Sequence, residues 1–371
     1  MKFCAAVNHA SPFHVGGSEK VIQQISESMK KDYGHNSVVL TKYTNKESCY
    51  FNGVNLIRTA SNAEDFLDQL ISLNIDHLMV YSDCFSYWPA ILKKSDQLPF
   101  SKSICLVGMN KMLGDKGLQS LFLEKSNNFK IITHSDNYQD YLFCKSKNIK
   151  THVIPNGIDF SEFKNNNFSF KRKYNVLTNK MILCVSNFFP GKGQEYLISI
   201  LNKIYERFKD FTMVFICSTV SFYVANNLMN RFCSMLQKNA KFKYILLKDI
   251  PREDTIQSFL ESDIFVFPSQ QEVAPLVLLE SMASRTPWIS LNVGNVSSLS
   301  GGLVINASKK VNGQFVYDES IFKSFENNIL DLLIDDNRRI DLGNIGYKYC
   351  FDHFNWDNIK INYHKIFNDE I

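Results

Sequence analysis

Short apolar runs alternate with longer amphipathic runs along the first half of this chain. Residues 3–7 and 77–81 are almost entirely apolar, whereas the apolar side chains of residues 18–29 recur at helical spacing. Short continuous apolar runs fit strands that are buried on both faces, and the longer runs fit the crossover helices between them. The pattern therefore predicts an α/β fold with a parallel sheet.

The same alternation begins again after residue 180. The apolar runs are 181–186, 212–217, 244–247 and 263–268, and the amphipathic runs are 194–208 and 275–283. Between the two halves the segment 154–159, IPNGID, is rich in turn formers, and three asparagines follow at 165–167. We expect two doubly wound domains with a boundary near residue 160. A chain of 371 residues fits this division, because a single core rarely grows beyond about 250 to 300 residues.

Composition narrows the class of protein. Hydrophobic residues make up 45% and charged residues 21% of the chain, which is typical of globular domains. The 41 basic residues exceed the 37 acidic ones by only four and are scattered along the chain, so no nucleic-acid partner is expected. A modest attraction to anionic lipid stays open, and with it peripheral contact at the inner face of a membrane.

The cysteines and the N-terminus indicate a compartment. There are nine cysteines, an odd number, with no C-x-x-C pair, and several lie inside apolar runs. This is typical of reduced core cysteines in a cytoplasmic protein. The first apolar run is too short for a signal peptide, and no stretch of about 18 uncharged apolar residues follows. We expect a cytoplasmic protein that does not span a membrane.

The segment 268–280, PSQQEVAPLVLLE, carries the strongest chemical signal. Pro275 suits the opening of a helix, and the amides of residues 276–278 would then point free N–H groups at a diphosphate or a sugar hydroxyl. Glu272 lies in the loop at the carboxyl end of a strand, and Glu280 lies one turn beyond Leu276 on the same helix face. We expect both carboxylates to approach one ligand. The alternative is a solvated Glu272 and a surface Glu280.

Three further segments strengthen this signal, because of the order in which they follow one another along the chain. Residues 16–20, GGSEK, open a helix after the first strand, and glycines let a backbone approach a ligand closely. Residues 153–159, VIPNGID, connect the two halves, and residues 185–193, VSNFFPGKG, contain Lys192. With the segment 268–280, they resemble glycosyltransferase family 4, within the glycosyl transferases group 1. The resemblance spans nearly the whole chain.

This resemblance implies a GT-B fold, in which two doubly wound Rossmann-like domains face a cleft. The first would be an acceptor-side domain, residues 1–160, and the second a nucleotide-sugar-binding domain, residues 161–354. The segment after Phe354 resembles the last helix of the family, which crosses back to the first domain, so we assign residues from about 355 to 371 to that domain. The connector at 153–159 is interpreted as structural.

The resemblance also implies a function. Residues 265–287 match the E-x7-E signature, so the protein would be a retaining hexosyltransferase that takes a nucleotide diphosphate sugar, with UDP favoured, and needs no cofactor. Glu272 would hold the hydroxyls of the donor sugar and Glu280 those of the ribose, while Lys192 would stabilise the leaving diphosphate. Expected donor contacts are Gly16, Gly17, Asn187, Lys192, Val273, Ala274, Pro275, Leu276, Val277 and Glu280. The acceptor would be a glycan, a lipid-linked glycan or a small molecule.

No metal site is expected. The sequence contains no D-x-D pair, and its histidines show no metal-binding spacing. Many relatives place a histidine beside the donor sugar, in the segment that here is 106–111, but none is present; Asn110 could supply only a hydrogen bond. His9 and His14 flank the glycine loop, where they either contact donor or acceptor or are simply exposed.

Three further departures from the family weaken parts of the prediction. Asn187 replaces the arginine that commonly accompanies the lysine. Arg285 stands where relatives have the glycine that ends the glutamate helix, and a left-handed conformation would cost it about 1 kcal/mol. Either the turn differs or the strain is tolerated. Trp288 replaces a small aliphatic residue and belongs either to the core or to the nucleobase pocket.

Two alternatives remain from the sequence alone. One is an epimerase or phosphorylase on the same fold, because fold does not fix function. The other is a catalytically weak protein that only binds nucleotide sugars, which the changes at Asn187 and in 106–111 favour. The donor base and sugar, the acceptor, the linkage and the oligomeric state are not encoded in any recognisable motif.

Overall fold

The computed structural model describes residues 1–12, 16–44, 46–108, 112, 114–164, 168–218, 223–307, 310–311 and 314–370. The chain divides into two compact units. Unit 1 comprises Met1–Asn156 with Asp357–Ile371, and unit 2 comprises Gly157–Trp356. From the sequence we expected the domain boundary after residue 160 and the return of the chain to the first domain at about residue 355.

Unit 1 is built on one large sheet. Its strands are β1 (Lys2–Val7), β2 (Asn36–Thr41), β3 (Ser48–Phe51), β4 (Val54–Arg58), β5 (His77–Tyr81), β6 (Ser101–Leu106), β7 (Lys130–Thr133) and β8 (Thr151–Val153). They pair in the order β3-β4-β2-β1-β5-β6-β7-β8. Among these described strands, β3 alone runs antiparallel to its neighbour, because the turn at Asn52 and Gly53 (φ 50° and 80°) folds it back onto β4.

Helices cover the sheet of unit 1. They include α1 (Gly17–Lys31), α2 (Ala63–Ser72), α3 (Trp88–Lys93), α4 (Lys116–Lys125) and α5 (Gln139–Ser146). The buried face of α1 carries Val21, Ile22, Ile25 and Met29, which recur at helical spacing and seat the helix on the sheet. The chain leaves β1 towards β2 on one side and later reaches β5 on the other. The end of β1 is therefore a switch point, where ligands of open α/β sheets bind.

Unit 2 repeats this plan in a simpler form. Its strands are β9 (Lys180–Val185), β10 (Phe211–Cys217), β11 (Lys243–Lys248), β12 (Ile264–Phe267), β13 (Trp288–Leu291) and β14 (Gly302–Ile305), with a separate antiparallel ribbon of β15 (Lys310–Val311) and β16 (Gln314–Phe315). The six strands are parallel and pair in the order β11-β10-β9-β12-β13-β14. This is the Rossmann order, and its switch point lies between β9 and β12.

The helices of unit 2 connect these strands. They include α6 (Phe170–Lys173), α7 (Tyr196–Arg207), α8 (Tyr223–Asn239), α9 (Arg252–Glu261), α10 (Leu276–Ala283), α11 (Glu319–Ile334) and α12 (Asp336–Phe354). The loop from β9 to α7 and the loop from β12 to α10 both leave the carboxyl edge of the sheet at the switch point. The fold thus brings the segments around Lys192 and Glu272 side by side.

The last helix, α13 (Trp356–Phe367), belongs almost entirely to unit 1. The ring of Phe367 stacks on Phe3 at 4.8 Å between centroids, and Nζ of Lys360 lies 2.9 Å from Oδ2 of Asp32. Tyr363 is fully buried. The chain therefore returns to the first unit, as the family resemblance implied.

The turn after α10 keeps the left-handed conformation expected for glycine. Arg285 has φ +59°, its guanidinium lies 3.7 Å from the ring centroid of Tyr347, and it donates to Oδ1 of Asn344 at 2.8 Å. The strain is therefore tolerated rather than avoided. A side chain on Gly343 would overlap the carbonyl of Arg285, so the neighbouring helix also needs a glycine at this point.

Trp288 belongs to the core. Its side chain is fully buried, its Nε1 donates to the carbonyl oxygen of Ser300 at 3.3 Å, and a Cβ on Gly302 would overlap its ring. The nucleobase-pocket alternative is thus wrong for Trp288. All nine cysteines are free thiols, and six of them are buried. Within the described ranges, we find no helix with the length and apolarity needed to cross a bilayer.

Candidate active site

A lysine and a glutamate meet at the switch point of unit 2. Nζ of Lys192, in the loop after β9, lies 2.5 Å from Oε1 of Glu272, in the loop after β12. The hydroxyl of Ser269 donates to the same carboxylate oxygen at 2.7 Å. The two charged side chains are 25% and 14% exposed, so both remain accessible to a ligand.

Glycines let the two loops approach this closely. Gly193 has φ +76°, and a side chain there would overlap the carbonyl of Pro268. Gly294 has φ +55°, and a side chain there would overlap the carbonyl of Val273. The amide of Gln270 donates to the carbonyl of Gly191 at 2.7 Å. Because only glycine fits these positions without strain, residues 193 and 294 allow their loops to approach the backbone of 268–275 closely.

Helix α10 begins immediately after this loop. Pro275 is its N-cap, with φ −70° and ψ 117°, and Leu276 is the first helical residue. The amide of Leu278 donates to the carbonyl of Pro275 at 3.3 Å, so the prediction that this amide is free is wrong. The amides of Leu276 and Val277 still precede the repeating hydrogen bonds of the helix and carry its positive dipole end.

Glu280 lies one turn further along, on the buried side of α10. Only 5% of its side chain is exposed, so the alternative of a surface Glu280 is wrong. Its Oε1 lies 2.6 Å from Nη2 of Arg252, and the same nitrogen lies 2.8 Å from Oε2 of Glu162. Burial, the largest effect, lowers the pKa of Arg252, but the charges of Glu280 and Glu162 outweigh it and raise the pKa overall. Glu272 and Glu280 therefore have different cationic partners.

The glycine pair of unit 1 opens a helix, as predicted. Gly16 is the N-cap of α1 with extended backbone (φ −141°, ψ 176°), and the amide of Lys20 donates to its carbonyl at 3.0 Å. The N–H groups of Gly17, Ser18 and Glu19 precede this first bond. His9, in the loop after β1, stacks on Tyr43 at 4.7 Å between ring centroids. His14 and Asn110 lie outside the described residues.

Sequence comparison matches this architecture to a known family. Residues 166–349 match the sequence model of the glycosyl transferases group 1, which covers most of unit 2. The whole chain aligns with an uncharacterized glycosyltransferase of Methanocaldococcus jannaschii, at 26% identity over 99% of this chain and 98% of that protein. This is a glycosyltransferase whose unit 2 carries a group 1 domain.

Two more comparisons place the enzyme more broadly. It is 25% identical to the capsular polysaccharide biosynthesis glycosyltransferase CapM of Staphylococcus aureus, over 56% of this chain and 52% of that one. Among solved structures, HepE of Anabaena in complex with UDP and glucose aligns over 100% of both chains with a TM-score of 0.79 and 14% identity. At that identity the likeness shows the fold alone, and this glycosyltransferase has the GT-B-like fold with two Rossmann-like sheets.

Asn187 has a structural partner in this glycosyltransferase. Its Oδ1 accepts from the amide of Ser218 at 2.9 Å, and its carbonyl accepts from Nε2 of Gln194 at 3.2 Å. The side chain thus ties the end of β9 to the end of β10. Its predicted contact with the donor stays a prediction, as do the predicted contacts of Val273 and Ala274.

A buried carboxylate in unit 1 escaped sequence reasoning. Oδ2 of Asp140, at the start of α5, accepts from the amide of Gly108 at 2.8 Å, and Nε2 of Gln139 donates to the carbonyl of the same glycine. Burial raises the pKa of Asp140 to about 6. These two side chains hold Gly108, which lies within the segment 106–111. No motif marks them, because the partners lie on different βα units.

The described ranges contain no group of three His, Cys, Asp or Glu side chains arranged to hold a metal ion. The metal-independent mechanism remains a prediction.

Proposed function

We propose that this glycosyltransferase moves a sugar from a nucleotide diphosphate donor, with UDP favoured, to a hydroxyl acceptor, with retention at the anomeric carbon and without a metal ion. The observation that carries the proposal is the Lys192–Glu272 pair, 2.5 Å apart, beside the N-terminus of α10 at the switch point of a Rossmann-ordered sheet. A cation and a helix N-terminus together form a site for an anion.

Lys192 would act on the leaving group. In the ligand-free pair, the ammonium is neutralised by Glu272. A donor diphosphate carries more negative charge than one carboxylate and would take over the ammonium, aided by the amides of Leu276 and Val277. Negative charge on the diphosphate grows as the bond to the sugar breaks, so these groups would stabilise the transition state more than the bound donor.

Glu272 would then hold the sugar. Once Lys192 has exchanged partners, the carboxylate can accept hydrogen bonds from the sugar hydroxyls while Ser269 keeps it oriented. Glu280 would accept from the ribose hydroxyls. A hydrogen bond to a charged group contributes about 1.5 to 3 kcal/mol, so each of these contacts would add to donor binding.

The reaction follows from this placement. The bond between the anomeric carbon and the diphosphate oxygen breaks, and the nucleoside diphosphate leaves with the electron pair. The acceptor oxygen attacks the anomeric carbon from the same face, and its proton passes to the departing phosphate oxygen. This step retains configuration and needs neither a metal ion nor a protein base. Water must be kept away, because it would otherwise hydrolyse the donor.

The substrates are proposed from the relatives. HepE has been solved in complex with UDP-glucose, which supports a UDP-sugar donor. The name of CapM supports an acceptor in polysaccharide synthesis, and a lipid-linked glycan is part of the proposal without that support. The nine free thiols support a reducing compartment such as the cytoplasm, with peripheral contact at the inner face of the membrane left as part of the proposal.

A transfer assay tests the function. The enzyme is incubated with UDP-glucose and other nucleotide sugars, with and without glycan acceptors, and the products are followed by NMR at the anomeric proton. We expect UDP release that depends on acceptor, and a product with the anomeric configuration of the donor. Inverted product would remove the retaining mechanism. If the donor is epimerised, or if a glycan undergoes phosphorolysis, the protein is an epimerase or a phosphorylase. If it binds the donor without turnover, it is a nucleotide-sugar-binding protein.

A further inference from the structure

One arginine joins the buried Glu280 to a second acid. Arg252 is the first residue of α9, Glu280 lies within α10, and Glu162 lies in the short 3-10 helix Phe160–Phe163. Nη2 of Arg252 lies 2.6 Å from Oε1 of Glu280 and 2.8 Å from Oε2 of Glu162. A single guanidinium nitrogen therefore ties three separate elements of unit 2 together.

The three side chains differ in their exposure to solvent. The side chain of Glu280 is 5% exposed, whereas those of Glu162 and Arg252 are 35% and 37% exposed. A buried carboxylate is costly unless a cation compensates it. Glu280 therefore depends on Arg252 for its charge, while Glu162 lies nearer to water and depends on it less.

Not every N–H group of the Arg252 guanidinium has a hydrogen-bond partner among the described residues. Nε of Arg252 is buried and has no hydrogen-bond partner among the described residues. Buried donors are nearly always paired in native proteins, so an orphaned one calls for a reason. Here the two carboxylates fix the side chain through Nη2. A cavity of about 410 Å³, lined by Glu162, Pro251, Arg252, Glu253 and Ile256, adjoins the bridge.

We propose that Arg252 is the positioning residue of Glu280. It keeps that buried carboxylate ionised and correctly oriented for the ribose hydroxyls, and Glu162 holds Arg252 in place. This inference rests on the proposed role of Glu280 in donor binding. An ionised carboxylate is a stronger hydrogen-bond acceptor than a neutral one, so the bridge sets donor affinity without touching the donor. A carboxylate has about four acceptor sites, so pairing with one guanidinium does not exhaust it.

The test measures the dissociation constant of UDP by calorimetry and the turnover at saturating donor, on the full-length chain. Arg252→Gln should raise the dissociation constant about tenfold and leave saturated turnover within about twofold. Arg252→Lys should restore most of the affinity, because an ammonium can pair with Glu280 but cannot fork as a guanidinium does. Glu162→Gln, a milder change, should raise the constant about threefold. Arg338→Gln is the matched control, because its pair with Asp331 is 3.6 Å long and largely exposed.

A double-mutant cycle separates positioning from other roles. If Arg252 acts through Glu280, adding Arg252→Gln to Glu280→Gln should change UDP affinity little further. Additive effects would mean that Arg252 acts on the donor independently and would overturn the proposal. Unchanged or tighter binding in Arg252→Gln would also overturn it, since the arginine would then be purely structural or a competitor of the ribose. Should Arg252→Gln fail to fold, Glu162→Gln carries the decision, and a dissociation constant equal to that of the parent would overturn the proposal.

The two proposals can fail separately. If Glu280→Gln weakens UDP binding but neither Arg252→Gln nor Glu162→Gln does, only the positioning role is lost. If Glu280→Gln itself binds UDP as the parent does, the proposed ribose contact is wrong, and the role of Arg252 falls with it.

Discussion

The two glutamates of the E-x7-E segment lie in opposite surroundings. Glu272 lies on a loop and pairs with Lys192. The site around this pair is open enough to admit a ligand. Glu280 is inside a helix, pairs with Arg252, and is almost fully buried. A partly exposed carboxylate at a loop edge can exchange partners at a smaller cost, whereas the buried Glu280 cannot lose its cation without leaving an uncompensated buried charge. The first arrangement suits a changing transition state, and the second suits a fixed recognition contact.

The largest expected effect comes from the cation at the open site. Lys192→Gln removes the one side-chain charge that we assign to the leaving diphosphate. Removing a single group that stabilises developing negative charge typically lowers turnover by about 10²- to 10³-fold. Steady-state assays at saturating donor measure this loss. A variant that turns over within a few fold of the parent would show that the diphosphate is stabilised elsewhere.

Glu280→Gln should have the next largest effect, on stability as well as on donor binding. Among the described residues it leaves Arg252 with Glu162 as its one acidic partner, so the free energy of unfolding should fall by about 2 to 3 kcal/mol. The side chain of Glu272 is 14% exposed against 5% for Glu280, so Glu272→Gln should cost less, about 1 kcal/mol. Urea unfolding of both variants gives the comparison. Equal losses would contradict the contrast between the buried Glu280 and the more exposed Glu272.

Glu272→Gln should act mainly on turnover. Since its contact with the sugar is proposed to strengthen in the transition state, turnover should fall by about 10- to 100-fold while the dissociation constant of UDP stays within about threefold. Glu280→Gln should show the reverse division, with donor affinity reduced by about 1.5 to 3 kcal/mol. Steady-state kinetics measure the turnover of both variants and calorimetry measures their affinity for UDP, after circular dichroism has shown that both are folded. A uniform effect of both variants on affinity and turnover would erase the proposed division of labour.

Metal removal should have the smallest effect. With charge stabilisation assigned to Lys192 and a helix N-terminus, EDTA should leave most of the turnover intact. The assay is repeated after dialysis against chelator and after addition of magnesium or manganese. Loss of activity that either metal restores would replace the metal-free mechanism.

Local pattern predicted the elements of the site well. The run at 263–268 is seen as β12, and the helix expected at 275–283 is seen as Leu276–Ala283. Both follow from continuous apolar runs, which are properties of neighbouring residues, although Pro275 is the N-cap and not the first helical residue. The hairpin of β3 and β4 was not predicted, although Asn52-Gly53 is a recognised hairpin turn.

Long-range partners could not be predicted. The pairing of Arg252 with both Glu280 and Glu162, and of Asp140 with Gly108, depends on which helices the sheet order places together. Neither pairing corresponds to a recognisable spacing of residues in the sequence. Asn187 shows the same limit: its missing charge was visible, but its use as a tie to Ser218 needed the adjacent strand.

The most direct test of the donor site is hydrogen exchange of the full-length protein with and without UDP. We propose that the diphosphate binds between Lys192 and the N-terminus of α10, so bound UDP should slow exchange in residues 187–193 and 272–280. The control peptide is 319–334, helix α11, where no change is expected. If UDP binds while exchange in 187–193 and 272–280 stays the same, the donor site lies elsewhere, and the assignment of Lys192, Glu272 and Glu280 is wrong.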